Sequence, residues 1–292
     1  EKFSGVWNMD YSRFKSSGRY YTGAERKKGI LIQGKPYIVK YAKNSPQGLT
    51  GSYLSEYIGS HLFQMAGIEA QETFLGTCDG LPVVVMKDFI GENESFVPFN
   101  DVGDSTLERS RERYRYTYED IMHMLEENMK LTDVKETIQH FWKMYLMDAW
   151  IGNFDRHGAN WGFLKKDNQY RMAPVYDNGS SLFPRLNTDE KLMEILNSRE
   201  EMERRVFQFP TSQILLNGKK SSYYELINSL QYEECNEALL TLKPEIHLKN
   251  MEKFIEEIEE ISPVRKKFYQ EILWFRYREM IEKPYRRLTG KQ

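Results

Sequence analysis

Apolar residues of high β propensity concentrate in two short runs near the start of the chain, Lys28–Gln33 (KGILIQ) and Pro36–Tyr41 (PYIVKY). These β-rich runs predict two strands, with Gly34-Lys35 as the hairpin turn between them. The pattern then changes. Leu54, Ile58, Leu62 and Met65 recur at helical spacing over residues 51–66, and Gly67 supplies a stop. Glu72–Thr77 and Pro82–Phe89 return to strand character around a turn at Cys78-Asp79-Gly80. The first third therefore reads strand, strand, helix, strand, strand.

Beyond about residue 115 the helical period dominates. Residues 133–151 form the longest such stretch, with Asp133 as N-cap, Glu136 three residues on and Gly152 at the end. Two short strands are predicted at Trp161–Leu164 and Tyr170–Ala173. From Asn187 to Arg287 the reading is helix again, broken near Pro210–Lys220 and at Pro244 and Pro263. The charged segment Arg109–Asp120 reads as a solvated loop or helix start. The fold class is α+β: a small β-rich lobe over residues 1–95 and a larger helical lobe over 96–292. A boundary of that kind is where small-molecule clefts favour forming.

Composition narrows the possibilities. The chain has 292 residues, 40% hydrophobic and 29% charged, within the globular range. Its longest apolar run, Leu81–Met86, is far below the ~20 residues of a membrane-spanning helix. The opening EKFSGVWNMD lacks an apolar stretch of signal-peptide length. The 41 basic and 43 acidic residues leave a net charge of −2, which argues against a dedicated nucleic-acid binder. Two cysteines, Cys78 and Cys235, make neither a disulfide framework nor a metal cluster. A cytoplasmic location is expected; secretion is not legible here, nor is the oligomeric state.

Candidate chemistry concentrates in two polar clusters. Asn153–Asn160 (NFDRHGAN) follows the long helix, and Tyr176–Ser181 (YDNGSS) follows the predicted strand pair. A hairpin between them would bring Asp155, Asn160 and Asp177 together. Phosphoryl transfer from ATP needs such a set: one carboxylate to orient and deprotonate the acceptor hydroxyl, an amide oxygen and a second carboxylate to hold Mg²⁺. Protein kinases place the catalytic Asp and the metal-binding Asn five residues apart, as here, then a second Asp after a short strand pair. Oxygen-only donors suit Mg²⁺. Alone, either cluster is ordinary turn chemistry, since Asp-Asn-Gly is a good turn sequence. The pair at a separation of 22 residues is far less so. Arg156 and His157 read first as groups that fix the loop.

A kinase also needs a strand lysine paired with a helix glutamate. Lys40, in Tyr37-Ile38-Val39-Lys40, and Glu56 have that order and placement. Thr22–Gly29 (TGAERKKG) is a candidate phosphate-covering loop, although it is not G-x-G-x-x-G. Val84–Phe89 is the strand that would end at an adenine-facing hinge. Gly29–Pro36 (GILIQGKP) nearly spells a Walker A loop, but its last position is Pro where a hydroxyl is required, and no helix follows. There is no H-E-x-x-H or G-x-S-x-G, and the five histidines show no metal-ligand spacing.

The chain resembles the HipA-like protein kinases, in particular the short CtkA-type members described as proinflammatory kinases. Gly152–Leu164 (GNFDRHGANWGFL), Ala173–Pro184 (APVYDNGSSLFP), Tyr37–Lys40, Leu54–Thr77 and Val83–Phe89 carry the resemblance, which extends through Val206–Leu215 and Ser222–Ile227. It implies a two-lobed protein-kinase-like fold using ATP and Mg²⁺ to phosphorylate Ser or Thr of protein, autophosphorylation included. Carried over, Asp155 matches the catalytic Asp and Lys40 the phosphate lysine. Asn160 and Asp177 match the metal ligands. Gly23, Ala24 and Lys27 fall in the phosphate loop, with Glu56, Lys87, Phe89 and His157 as further nucleotide-side candidates. HipA has an additional N-terminal subdomain that this chain begins too late to hold, which puts a HipB-like antitoxin partner in doubt. The serine that HipA autophosphorylates corresponds to Tyr20, leaving Thr22 as the nearest suitable hydroxyl. Two alternatives remain: a kinase for a lipid or small-molecule hydroxyl, and a nucleotide-binding pseudokinase.

Overall fold

Two-residue turns join most of the strand pairs in the computed structural model, which describes residues 9–21, 23, 25–102, 116–127 and 133–290. Strands β2 (Lys27–Ile32) and β3 (Lys35–Tyr41) pair through Ile32 and Lys35. Their turn is Gln33-Gly34, one residue earlier than the spacing predicts. Both residues have positive φ, 51° and 75°, the condition for the tight hairpin turn that matches strand twist. Asp79-Gly80 (54° and 74°) turns β6 (Thr73–Cys78) into β7 (Leu81–Lys87) in the same way. With β1 (Met9–Asp10), these strands form one sheet in the order β1-β6-β7-β3-β2. A two-residue ribbon, β4 (Asn44–Ser45) with β5 (Gly48–Leu49), lies outside it.

The two faces of this sheet follow the period-2 rule. Tyr37, Val39, Tyr41, Val83 and Val85 face a small core of their own. Val84, Met86 and Ile38 face the other way, onto helix α1 (Ser52–Met65) and the main core. Lys40 shares the parity of Ile38, so its side chain is sent toward α1. That helix is buried over most of its circumference, Glu56 included; Gln64 and Met65, at its C-terminal end, are exposed.

After the sheet, β8 (Ser95–Pro98) runs antiparallel to β10 (Gly162–Lys166), which pairs with β11 (Gln169–Met172). Strand β9 (Tyr116–Thr117) leads into α2 (Tyr118–Glu127). The predicted reading of Arg109–Asp120 falls largely outside the described residues. Helix α3 (Val134–Ile151) is capped as its sequence predicts: the Asp133 carboxylate accepts the Glu136 N–H at 2.9 Å, and Gly152 closes the far end at φ 68°. The break expected near Pro210–Lys220 is a hairpin, β12 (Thr211–Leu216) and β13 (Lys219–Ser222), turning on Asn217-Gly218. Helices account for most of the remainder. The chain between α1 and β6 bridges to the C-terminal half: Ala70 pairs with Val175, and the Gln71 N–H donates to the Val175 carbonyl at 2.9 Å.

Candidate active site

A cleft of about 580 Å³ opens between the sheet and the helical lobe. Gly23, Lys27, Lys40, Glu56, Phe89, Asn160 and Asp177 all line it. At its back, Lys40 Nζ lies 3.2 Å from Glu56 Oε2, 2.5 Å from Glu25 Oε2 and 3.6 Å from Asp177 Oδ1. Burial alone would push this ammonium down; the carboxylates of Glu56, Asp177 and Glu25 outweigh it and hold Lys40 above its ordinary value. The lysine is therefore a fixed positive charge held among three carboxylates.

The loop after α3 is built on a buried base. Asp148, one turn from the end of α3, accepts Arg156 Nε at 2.9 Å and Nη2 at 3.0 Å, and Asn153 Nδ2 at 3.1 Å. Arg156 also donates to the carbonyls of Asn160 and Tyr176 and to Asn178 Oδ1. Asn153 Oδ1 accepts the Asp155 N–H at 3.0 Å, and the Tyr223 hydroxyl donates to the Asn153 carbonyl at 2.7 Å. This lattice fixes the backbone that carries Asp155 and Asn160 without consuming their chemistry. Asn160 Nδ2 donates to the Asp155 carbonyl at 2.7 Å, which leaves its Oδ1 as the acceptor atom. The Asp155 carboxylate is about half exposed. Burial pushes it up; His157 pulls it back, and the Asp177 charge pushes it up again.

Hairpin β10–β11 returns the chain so that Asp177 sits against Lys40 and lines the same cleft as Asn160. Phe89, Phe96 and Tyr176 make an aromatic cluster at the outer end of the cleft, with ring centroids 5.3–6.0 Å apart. Asp88 joins this end to the strap before the phosphate loop: its Oδ2 accepts Arg19 Nη1 at 2.7 Å and the Tyr21 hydroxyl at 2.9 Å.

Asp155, Lys87 and His157 lie outside the cleft lining. The Lys87 ammonium points to Glu72, its N–H donates to the Glu72 carbonyl, and its own carbonyl accepts Gln71 Nε2 at 2.9 Å. Both of its backbone groups are thus engaged within the lobe. His157 Nε2 lies 3.2 Å from Asn160 Nδ2 and 3.8 Å from Asp155 Oδ1. Ala24 and Thr22 lie outside the described residues. Sequence reasoning passed over Asp148 and Glu25. A single acid inside the apolar stretch Met144–Ile151 was the available signal for Asp148, because a buried carboxylate requires a partner.

The donor set fits a magnesium nucleotide. Asn160 Oδ1 and the Asp177 carboxylate are hard oxygen donors of the kind that could hold Mg²⁺, and Lys40 is a cation that could meet a phosphate chain. The fold and the cleft together define a two-lobed, protein-kinase-like class. The chain belongs to the HipA-like family: the model of the HipA-like C-terminal domain matches residues 20–261. It is 30% identical over 252 residues to the serine/threonine-protein kinase CtkA of Helicobacter pylori strain J99, covering 84% of this chain and 77% of that protein. The crystal structure of the H. pylori proinflammatory kinase CtkA superposes with a TM-score of 0.87 at 27% identity, over 97% of this chain and 98% of that one. HipA from the Shewanella oneidensis MR-1 complex of HipA, HipB and operator DNA shares the fold, with a TM-score of 0.59 at 12% identity, over 93% of this chain and 68% of that one.

Proposed function

We propose that this chain is a serine/threonine protein kinase that transfers the terminal phosphoryl group of ATP to hydroxyls of protein, its own among them. One observation carries the reading. Lys40, Glu56, Asn160 and Asp177 line a single cleft, with Asp155 on the same loop as Asn160. The similarity to a named serine/threonine-protein kinase over most of both chains supports the choice of acceptor.

Each residue has a role. Asp155 orients the acceptor hydroxyl and takes its proton; its raised affinity for protons makes it a better base than an ordinary aspartate. Asn160 and Asp177 hold Mg²⁺, which when bound neutralises charge on the phosphates. Lys40, kept protonated and oriented by Glu56, meets the phosphate chain. Gly23 and Lys27 cover it, and the backbone at Phe89 meets the base. His157 steadies Asp155 and Asn160. The division of labour follows the lobes, with residues 1–95 on the nucleotide side and 96–292 on the acceptor side.

Radiolabelled ATP with Mg²⁺ tests this. The intact chain is incubated alone and with a generic basic protein, beside Asp155→Ala, and labelled sites are mapped. Label on Ser or Thr that falls ~10²–10⁴-fold in the variant is expected. Near-normal turnover in Asp155→Ala, or label confined to small molecules, overturns the reading.

A further inference from the structure

Asp177 holds its carboxylate toward Lys40 from a left-handed backbone, φ +58°. That region is unfavourable for a residue with a Cβ and persists only where the surroundings impose it. The surroundings here are largely one neighbour, Asn178.

Asn178 is fully buried, and each of its four polar atoms has a partner. Its N–H donates to Glu56 Oε1 at 2.7 Å. Its Nδ2 donates to Ser60 Oγ at 3.1 Å, on the same helix one turn further along. Its Oδ1 accepts from Arg156, and its carbonyl accepts the Ser181 N–H at 3.1 Å. Arg156 grips the other side of Asp177 as well, through the Tyr176 carbonyl. Helix α1 makes room for this residue: a Cβ on Gly59 would lie 2.6 Å from the Asn178 Cβ. Burying an amide is costly unless its bonds are made, and an apolar side chain fills such a space more cheaply. The partners explain the choice. Glu56, which fixes Lys40, and Arg156, which fixes the loop of Asp155 and Asn160, meet at this one side chain and its backbone.

We propose that Asn178 is a positioning residue for Mg²⁺ use: it locks Asp177 into its left-handed conformation and registers it against both the Lys40–Glu56 pair and the loop of Asp155. The proposal rests on the phosphoryl-transfer reading above and deepens it.

The readout is thermodynamic. Calorimetry measures ATP binding to the full chain with Mg²⁺ and with excess EDTA, and the ratio of the two affinities reports Mg²⁺ coupling. Asp177→Asn should collapse that ratio. Asn178→Ala should lower it by about tenfold or more, as the loss of a ligand's supporting partner does, with Mg²⁺-free ATP affinity unchanged. Ser60→Ala removes one of the bonds at a distance from the nucleotide and should lower the ratio in the same direction by less. Near-ultraviolet circular dichroism checks the fold of each variant. A general loss of structure would lower both affinities together and leave the ratio intact. If Asp177→Asn loses coupling while Asn178→Ala and Ser60→Ala keep it, the positioning role is wrong and the kinase reading stands. If Asp177→Asn itself keeps it, the metal-loop assignment falls. Should Asn178→Ala fail to fold, a wild-type ratio in Ser60→Ala overturns the proposal on its own.

Discussion

Arg156 and Asp148 form a buried two-bond ion pair, Nε to Oδ2 at 2.9 Å and Nη2 to Oδ1 at 3.0 Å, directly beneath the loop that carries Asp155. The arginine spends its remaining donors on Asn160, Tyr176 and Asn178. Removing either partner leaves the other charged and buried, so Arg156→Ala should cost about 3–5 kcal/mol in urea denaturation. Replacing both, as Asp148→Leu with Arg156→Met, removes the uncompensated charge and should recover much of that stability. It should not recover turnover, because three loop groups lose their donor. A double variant that is both stable and fully active would show that the pair serves folding alone.

Much of this arrangement was legible in the sequence, and the limits have physical reasons. Asp155, Asn160 and Asp177 were singled out because spacing along the chain limits which groups a short hairpin can return together. Lys40 and Glu56 were singled out by their order and their placement on a strand and the following helix, and the structure sets their side chains 3.2 Å apart. Local signals also gave the Asp133 cap and the Gly152 stop. The hairpin at Asn217-Gly218 was missed although Asn-Gly is a strong turn signal, because the surrounding helical period dominated the reading. The partner of Asp148 and the role of Asn178 were not legible: Arg156 and Glu56 lie 8 and 122 residues away from them, and only the tertiary structure brings them close. Lys87 was placed at the hinge by strand position, but a sequence does not show that Gln71 and Glu72 already occupy its backbone groups.

The proton affinity of Asp155 sets the acid limit of the reaction. Burial holds its carboxyl above the ordinary value of 3.8; His157 opposes this and Asp177 reinforces it. Only the carboxylate accepts a proton, so kcat/KM should fall as pH drops through this raised value, at higher pH than a free aspartate would give. His157→Ala removes the opposing charge and should move the acid limb to higher pH still. A pH profile of kcat/KM for both proteins checks it. An unmoved limb would separate His157 from the base.

Asp88 ties the strap before the phosphate loop to the end of the sheet. Its Oδ2 accepts both Arg19 and Tyr21, and burial with this carboxylate pushes the Tyr21 phenol up to about 12. Asp88→Ala releases both contacts and orphans the phenol. Hydrogen bonds to a charged group contribute about 1.5–3 kcal/mol each, so KM for ATP should rise by about tenfold or more. Asp88 touches neither the base nor the metal ligands, so kcat should be kept. Steady-state kinetics over a range of ATP decide it; a matching fall in kcat would place the strap in the chemical step instead.

Arg276 joins the end of α3 to the chain around residues 205–209. It is fully buried, and among the described residues no carboxylate pairs with it. Its Nε donates to the Ala149 carbonyl at 2.8 Å, and its Nη1 reaches the carbonyls of Arg205 and Phe209. Ala149 and Arg205 lie in the final turns of α3 and of helix Arg199–Phe207, where carbonyls lack intrahelical partners and negative dipole charge collects, and Phe209 lies just past the second. The guanidinium substitutes for a carboxylate partner with three carbonyl oxygens. Arg276→Met matches its length but satisfies none of them, and each orphaned acceptor costs about 1–3 kcal/mol, partly offset by removing a buried charge. A net loss of about 3 kcal/mol is expected, seen as a lower urea midpoint at constant slope. Arg276→Lys brings fewer donors on a shorter reach and should recover only part of it. At low temperature, where the variant stays folded, kcat should remain near that of the parent, because Arg276 touches no reacting group. An unchanged urea midpoint in Arg276→Met would mean that those carbonyls find other partners and that the arginine is dispensable.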